Sequence, residues 1–246
     1  MSNSRSIYVG YDPRETNNFV VCLRSARSMM KREDIPVHGL VLDQVRRRGL
    51  YTRPTSINME GKLWDKISDA PMSTEFACSR FLVPHLQKEG LALFVDCDTM
   101  FLSDPAELFD LVDPSKAVTC VKHNHVPTEE KKKTGEIQTK YNRKNWSSVM
   151  VFNCEHPANQ KLTVEMINTL PGRDLHAFCW LEDDDIGALP ATWNHLVGVT
   201  MMPTEHINLV HWTLGSPNIV ARENTIYYDE FHHILNSWAI SGGALV

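Results

Sequence analysis

The first three apolar segments restrict the fold of this chain more than any other feature. Residues 7–10 form a short apolar run that ends at a turn, Gly10-Tyr11-Asp12-Pro13. A helical stripe follows, with Phe19, Leu23, Ala26 and Met30 at i, i+4, i+7, i+11 and Thr16 or Asn17 placed to cap it. Residues 37–42 are a second strand-like run, and Arg46-Arg47-Arg48 after it reads as a solvated turn. Strand, helix and strand at this spacing require a parallel pair joined by a right-handed crossover.

The alternation continues down the chain. Residues 73–88 read as a helix entered at Ser73-Thr74 and interrupted near Pro84. Residues 92–95 are continuously apolar, as the buried centre of a parallel sheet should be. Further strands are expected at 117–121, 149–152, 197–201 and 207–210, with helices at 157–169 and 228–240. The expected fold is α/β: a single domain over residues 1–246, Rossmann-like, with a mostly parallel central sheet flanked by helices. A chain of 246 residues needs no second domain to bury a core.

Charge and cysteine usage narrow the partners. Lys plus Arg total 25 against 30 Asp plus Glu, a net of −5 that weighs against tight nucleic-acid binding. The six cysteines stand singly with no C-x-x-C, as buried thiols of a reducing cytoplasm would, so the expected location is cytoplasmic. No apolar run approaches 18 residues and no signal-peptide core follows Met1, so stable membrane insertion is not expected. Basic residues gather at 122–146, seven Lys or Arg against three Glu. That stretch reads as a surface loop, or as a lid whose Lys131, Lys132, Lys133, Tyr141 and Trp146 meet an anionic acceptor.

Phosphate-cradling glycine motifs are absent, which excludes a dinucleotide-binding Rossmann fingerprint and a P-loop. What remains is Asp96-Cys97-Asp98 at the carboxyl end of an apolar, central-looking strand, where open α/β sheets bind ligands. Two carboxylates there repel unless a cation lies between them, and hard divalent ions take such oxygens. A solvated turn is the alternative. Downstream stand Glu182-Asp183-Asp184-Asp185, more acids than a helix cap needs, flanked by Trp180. A carboxylate half-buried there would suit proton abstraction. His211, leaving a strand, is either a core histidine or the third member of an Asp/Asp/His metal site.

Taken in order, these segments resemble the nucleotide-sugar glycosyltransferases of the GT-A fold, and most closely glycosyltransferase family 8. The resemblance covers roughly residues 7–218. It implies that residues 7–12 hold the nucleotide through Tyr8, Gly10, Tyr11 and Asp12, and that Arg80 reaches the donor sugar. Asp96-Cys97-Asp98 looks like the family's metal-binding D-x-D, 147–153 like the strand lining the sugar pocket, with Asn153, and 191–194 like its Trp-Asn. His211 falls where the third metal ligand stands, followed by Gly215. The implied cofactor is Mn2+ or Mg2+, held by Asp96, Asp98 and His211, and about 7–115 and 116–246 become nucleotide-binding and sugar- or acceptor-binding parts. Asp183, and second Asp184, are the implied carboxylates at the reacting centre.

Two departures bear on chemistry. Gly215-Ser216-Pro217-Asn218 stands where the family carries glycine and then Lys-Pro-Trp, so the diphosphate-gripping lysine is missing. Glu182–Ile186 looks as much like the Glu-Asp-Asp-Asp of inverting galactosyltransferases as like the Asp-Gln of the retaining family, which leaves the anomeric outcome open. The expected reaction is sugar transfer from a nucleoside-diphosphate donor, UDP-linked, to a saccharide or other hydroxylated acceptor. A transferase acting on a hydroxylated DNA base, a sugar nucleotidyltransferase and a non-catalytic nucleotide-sugar-binding protein are the alternatives.

Overall fold

The computed structural model describes residues 2–123 and 143–240. Most of the basic stretch, with Lys131, Lys132, Lys133 and Tyr141, lies outside the described residues. In chain order the strands begin β1 (Arg5–Gly10), β2 (Val37–Leu40), β3 (Thr55–Ile57), β4 (Leu63–Asp65), β5 (Ala70–Pro71) and β6 (Leu91–Val95). They continue as β7 (Thr99–Phe101), β8 (Val118–Cys120), β9 (Val149–Asn153), β10 (Ile186–Ala188), β11 (His195–Leu196) and β12 (Leu209–His211). The helices are α1 (Thr16–Met29), α2 (Leu42–Arg47), α3 (Val83–Gln87), α4 (Glu107–Asp110), α5 (Pro157–Gln160), α6 (Val164–Thr169), α7 (Gly172–His176) and α8 (Tyr228–Ile240).

Six strands form the central sheet in the order β10-β8-β9-β6-β1-β2. β9 runs against β6 and β8, and the other pairings in this sheet are parallel. The expected parallel pair β1–β2 is present, with Ile7 opposite Val37. A small sheet, β11-β12-β7, stands beside it, and β3-β4-β5 form a separate meander. Helix α1 packs into both neighbourhoods. Phe19, Cys22, Leu23 and Ala26 enter the main core, while Val21 joins Met100, Val210, Trp212 and Phe231 in a second cluster. Each of the larger aliphatic or phenyl side chains among these, such as Phe19, Val21, Leu23 or Met100, stabilises the fold by about 1.5–3 kcal/mol.

Several elements differ from expectation, each for a local reason. Neither Thr16 nor Asn17 caps α1: Asp12 caps a 3-10 turn, Pro13–Glu15, that runs straight into the helix, and its carboxylate accepts from Arg14 N at 2.8 Å. Arg46 and Arg47 end α2 rather than forming a turn, though both are exposed. The segment 73–88 is a 3-10 turn, Ser79–Leu82, followed by α3, and Pro84 lies in the first turn of α3, where a missing N–H costs nothing. Thr163 caps a fresh start at α6, its Oγ1 accepting from Met166 N, so 157–169 is two short helices. Residues 197–201 are no strand. Thr200 Oγ1 accepts from Leu196 N and turns the chain directly after β11.

The β3–β5 meander is fixed by one buried ion pair. Arg53 Nε reaches Asp65 Oδ1 at 2.8 Å, while its Nη1 donates to the carbonyls of Ile167 (3.1 Å) and Leu170 (2.6 Å) near the end of α6. Burial works to raise the Asp65 pKa, but the Arg53 and Ser68 bonds outweigh it and hold the group below 3.8. A carboxyl held low stabilises the fold above its unfolded pKa and loses that contribution as pH falls through the folded value. Asp65→Ala strands the guanidinium and is expected to cost about 3–5 kcal/mol at neutral pH. Urea titrations from pH 7 to pH 2 should show this difference shrinking only below about pH 4; a constant difference across that range would refute the assignment.

Candidate functional site

The site is built where the chain passes from the central sheet to the small one. Leu91–Val95 is wholly buried and carries the chain to the carboxyl rim of the sheet. Asp96 N donates to Ser148 O (2.9 Å), extending the β6–β9 pairing, and Thr99 Oγ1 donates to Asp96 O (2.8 Å), closing a tight turn. Trp212 N donates to Asp98 O (3.0 Å), and β7 then pairs with β12 so that Thr99 lies opposite His211. Register alone therefore sets Asp96, Asp98 and His211 together, each offering a ligand atom within 4.8 Å of the others.

Hydrogen bonds fix which nitrogen of His211 faces the carboxylates. Ser148 Oγ donates to Asn145 O (2.9 Å) and so accepts from Asn194 Nδ2 (2.9 Å). Asn194 Oδ1 then accepts from His211 Nδ1 (2.9 Å), which leaves the Nε2 lone pair 3.3 Å from Asp98 Oδ1. Two lone pairs at that distance need a proton or a cation between them. Burial works to lower the His211 pKa, but the Asp98 charge outweighs it and raises it above 6.5. Burial works to raise Asp98, and His211 outweighs it and holds it below 3.8.

Asp96 is harder to keep ionised. Burial lifts it to about 7, with Arg80 opposing and the Asp98 charge reinforcing. Arg80 Nη1 meets Asp96 Oδ1 at 2.7 Å as a charge contact, yet no donor is aligned on that buried oxygen. Two carboxylates and an imidazole with its lone pair presented, all within 4.8 Å, fit a divalent cation. Arg80 is itself buried, over the rings of Phe94 and Phe76, and donates to Ser147 O at 2.8 Å.

Arg80, Asp96, Cys97, Asp98 and His211 are thus brought together. Cys97 points inward, its thiol 3.4 Å from Glu15 Oε2. Tyr8 and Tyr11 line a cleft of about 480 Å³ with Leu40 and Val41 at the end of β2 and Gln44 of α2. Gly10 is required by packing, since a Cβ there would lie 2.6 Å from the Phe76 ring. Asp12 is fully buried and engaged by Arg14 and by Glu75 N. Gly215 takes a φ of 133° in the segment after β12.

Other expected members lie elsewhere. Asn153 pairs with Leu91 at the opposite end of β6, and its Nδ2 donates to Pro114 O. Asp183 and Asp184 precede β10, whose first residue pairs with Val118, itself opposite Phe152. By that register the start of β10 lies three strands from β6, at the end of the sheet opposite Asp96. Asp183 is not half-buried beside Trp180; its side chain is 88% exposed and pairs with Arg143 at 2.6 Å. Glu182 and Asp185 cap their 3-10 turn reciprocally.

Sequence reasoning missed two contributors. His176 ends α7 with Nδ1 2.7 Å from Ser147 Oγ, behind the carbonyl that holds Arg80. Burial, with the Arg80 charge, pushes its pKa down to about 3, so it is neutral. Glu15, at the entry to α1, accepts from Asn18 Nδ2 and Cys97, and burial followed by the Asp98 charge raises its pKa. Neither residue sits in a motif, so only the tertiary structure reveals them.

This strand order, with its rim of Asp, Asp and His, is the GT-A glycosyltransferase fold, and solved structures agree. The bifunctional glycosyltransferase WbbM superposes at TM-score 0.65 with 12% identity, covering all of this chain, which spans about half of that protein. The galactosyltransferase LgtC, solved with donor and acceptor sugar analogs, gives 0.58 with 13% identity over 94% of this chain and 95% of its own. Mouse xyloside xylosyltransferase 1 gives 0.52 with 13% identity over 89% and 100%. No family model matches. The chain belongs to the family of Protein CDI of Arabidopsis thaliana, with which it shares 44% identity over 218 residues, 86% of this chain and 78% of that one.

Replacing Asn194 by Leu frees the His211 ring and should weaken any divalent-cation binding at the cluster about 10- to 100-fold, the usual worth of such an orienting bond. Because the His211 pKa lies above 6.5, a proton competes for Nε2 already near neutrality, so wild-type affinity should rise with pH from 6 to 8. Mn2+ titration followed by EPR measures both. Unchanged affinity in Asn194→Leu would remove the orienting role.

Proposed function

We propose that the protein is a metal-dependent glycosyltransferase that moves a sugar from a nucleoside diphosphate, UDP-linked, to a hydroxyl of a saccharide acceptor. The observation that carries this reading is the Asp96, Asp98 and His211 cluster at the carboxyl rim, with Nε2 presented by the Asn194 bond. The GT-A likeness and the sugar-analog complex of LgtC support it. Mn2+ or Mg2+ held by these three residues would supply charge neutralisation to the leaving diphosphate.

The protein's own groups supply the rest. Tyr8 and Tyr11 offer the cleft for the nucleoside, Gly10 and Asp12 set the shape of the strand end, and Gly215 shapes the segment beside His211. Arg80, fixed by Ser147 O and backed by His176, carries positive charge to the side of Asp96 that faces the donor sugar. In the reaction the bond from anomeric carbon to diphosphate oxygen breaks and its electron pair leaves with the diphosphate. A bond from the acceptor oxygen to that carbon forms, and the acceptor proton is released. A DNA acceptor is not carried forward, since it rested on basic residues that mostly lie outside the described ones.

Asp96→Ala and Asp98→Ala are each expected to lower Mn2+-supported hydrolysis of UDP-sugars by about 10²-fold or more, the scale of a lost electrostatic stabiliser. Asp183→Asn, whose exposed carboxylate is paired with Arg143, should keep turnover within about twofold, well short of the 10²–10⁴ of a positioned acid–base group. A double Asp96→Ala, Asp98→Ala variant that turns over normally in EDTA would sink the metal reading. A collapse of kcat in Asp183→Asn would return that carboxylate to the reacting centre.

A further inference from the structure

Arginines on the surface of this chain commonly meet a carboxylate, as Arg5 meets Asp110, Arg32 meets Asp34 and Arg222 meets Asp229. Arg27 and Arg48 do not, although the net charge is −5. Both line the cleft beside β2 together with His38 and Gln44, and none of the residues lining that cleft is Asp or Glu.

His38 is the centre of the group. It lies opposite Tyr8 in the β1–β2 register, with the two ring centroids 5.2 Å apart. Arg27 comes to it from α1, its Nη2 donating to Val37 O at 3.2 Å. Arg48 follows the last turn of α2, and Gln44 lies within that helix. Burial, and then the Arg27 and Arg48 charges, hold the His38 pKa below 6.5, so both guanidiniums bear on the imidazole. Among the described residues the side chains of His38, Gln44 and Arg48 make no hydrogen bond or ion pair, and that of Arg27 makes only the bond to Val37.

Donors that converge unpaired on a concave surface are placed for an acceptor. Two guanidiniums and an imidazole without a counter-charge select an anion, and the guanidinium fork matches phosphate oxygens. Tyr8, Leu40 and Leu86 on the same walls, in a cleft of about 480 Å³, leave room for more than the phosphate itself.

We infer that the His38 side of this cleft is a phosphate-binding site, and that its ligand is a phosphate monoester whose ring or carbon skeleton packs on Tyr8 and Leu86. The site is separate from the metal cluster, because Asp96, Asp98 and His211 are not among the residues lining the cleft. The inference goes beyond the glycosyltransferase reading, in which the donor diphosphate belongs to the cation at Asp96 and Asp98. Two sources offer the same chemistry: a phosphate on the ribose of a nucleotide whose nucleoside lies in the cleft, and a free organic phosphate.

The test is NMR of the full chain in EDTA, with the His38 ring resonances assigned by their loss in His38→Gln. Inorganic phosphate, 3′-UMP and glucose 6-phosphate are titrated against a sodium chloride control of equal ionic strength. Binding should move the His38 resonances saturably and raise its pKa by about one pH unit or more, the effect of an adjacent opposite charge. Arg27→Gln combined with Arg48→Gln should weaken binding about 10-fold or more, the scale of lost hydrogen bonds to a charged group, with the urea midpoint unchanged. Tighter binding of 3′-UMP than of glucose 6-phosphate supports the site with a nucleotide source, and the reverse order supports it with a free organic phosphate. No saturable shift with any of the three overturns the inference, as does a shift that chloride reproduces or that the double variant leaves unchanged. None of these readings involves Mn2+ or turnover, so a failure of the glycosyltransferase reading shows separately, as absent Mn2+-supported UDP-sugar hydrolysis with the His38 shift intact.

Discussion

The four-residue turn from Asp96 to Thr99 is the constraint on which the rest depends. One backbone hydrogen bond ties its start to Ser148 in the central sheet, and another ties Trp212 to Asp98 in the small one. Both carboxylates are therefore placed by backbone geometry, before any side chain chooses a rotamer. The apolar clusters on either side hold that geometry. Phe94 and Val95 anchor the near side in the main core, and Met100 with Trp212 anchor the far side, Trp212 packing edge-on against Phe231 at 5.6 Å. Helix α1 spans both, and its Cys22 thiol lies 3.2 Å from Thr99 Oγ1, so the turn is packed from beneath as well. A site assembled this way is preorganised, as catalysis by charge stabilisation requires.

Much of this was legible in the sequence because period and position carry it. The first strand–helix–strand unit, the strand ahead of Asp96 and the Tyr228–Ile240 helix each appear as expected. The D-x-D was informative only through its place at the end of an apolar strand. The reversal of β9 was not legible, because a strand buried on both faces reads as a continuous apolar run whichever way it points. The break within 157–169 was decided by one residue, Thr163, whose capping competes with continuation at a scale of about 1 kcal/mol. Such margins are too small for an apolar stripe to predict.

The acidic run at 182–185 carries structural bonds of its own. Glu182 and Asp185 satisfy each other's turn, and Asp183 meets Arg143, whose Nη1 also donates to the carbonyls of Ala177 and Phe178. An exposed pair of this kind contributes little by itself. What the arrangement secures is the path of the chain from α7 to β10. Along that path His176 is set against Ser147 and Trp180 donates to Asn159 Oδ1 inside the core. The acids therefore fix the backbone path on which His176 reaches Ser147.

Electrostatics around the turn give the site its character. Glu15, Asp96 and Asp98 converge, and burial with mutual repulsion raises the first two. Arg80 and His211 offset only part of that repulsion, since Arg80 is shared with the carbonyls of Ala77 and Ser147. A fold that gathers carboxylates in a half-buried turn carries an unfavourable term from their burial and mutual repulsion. A bound cation relieves that term and favours the folded state by RT ln(1 + [L]/Kd). The order of the turn and the binding of such a cation would thereby be coupled through the same charges.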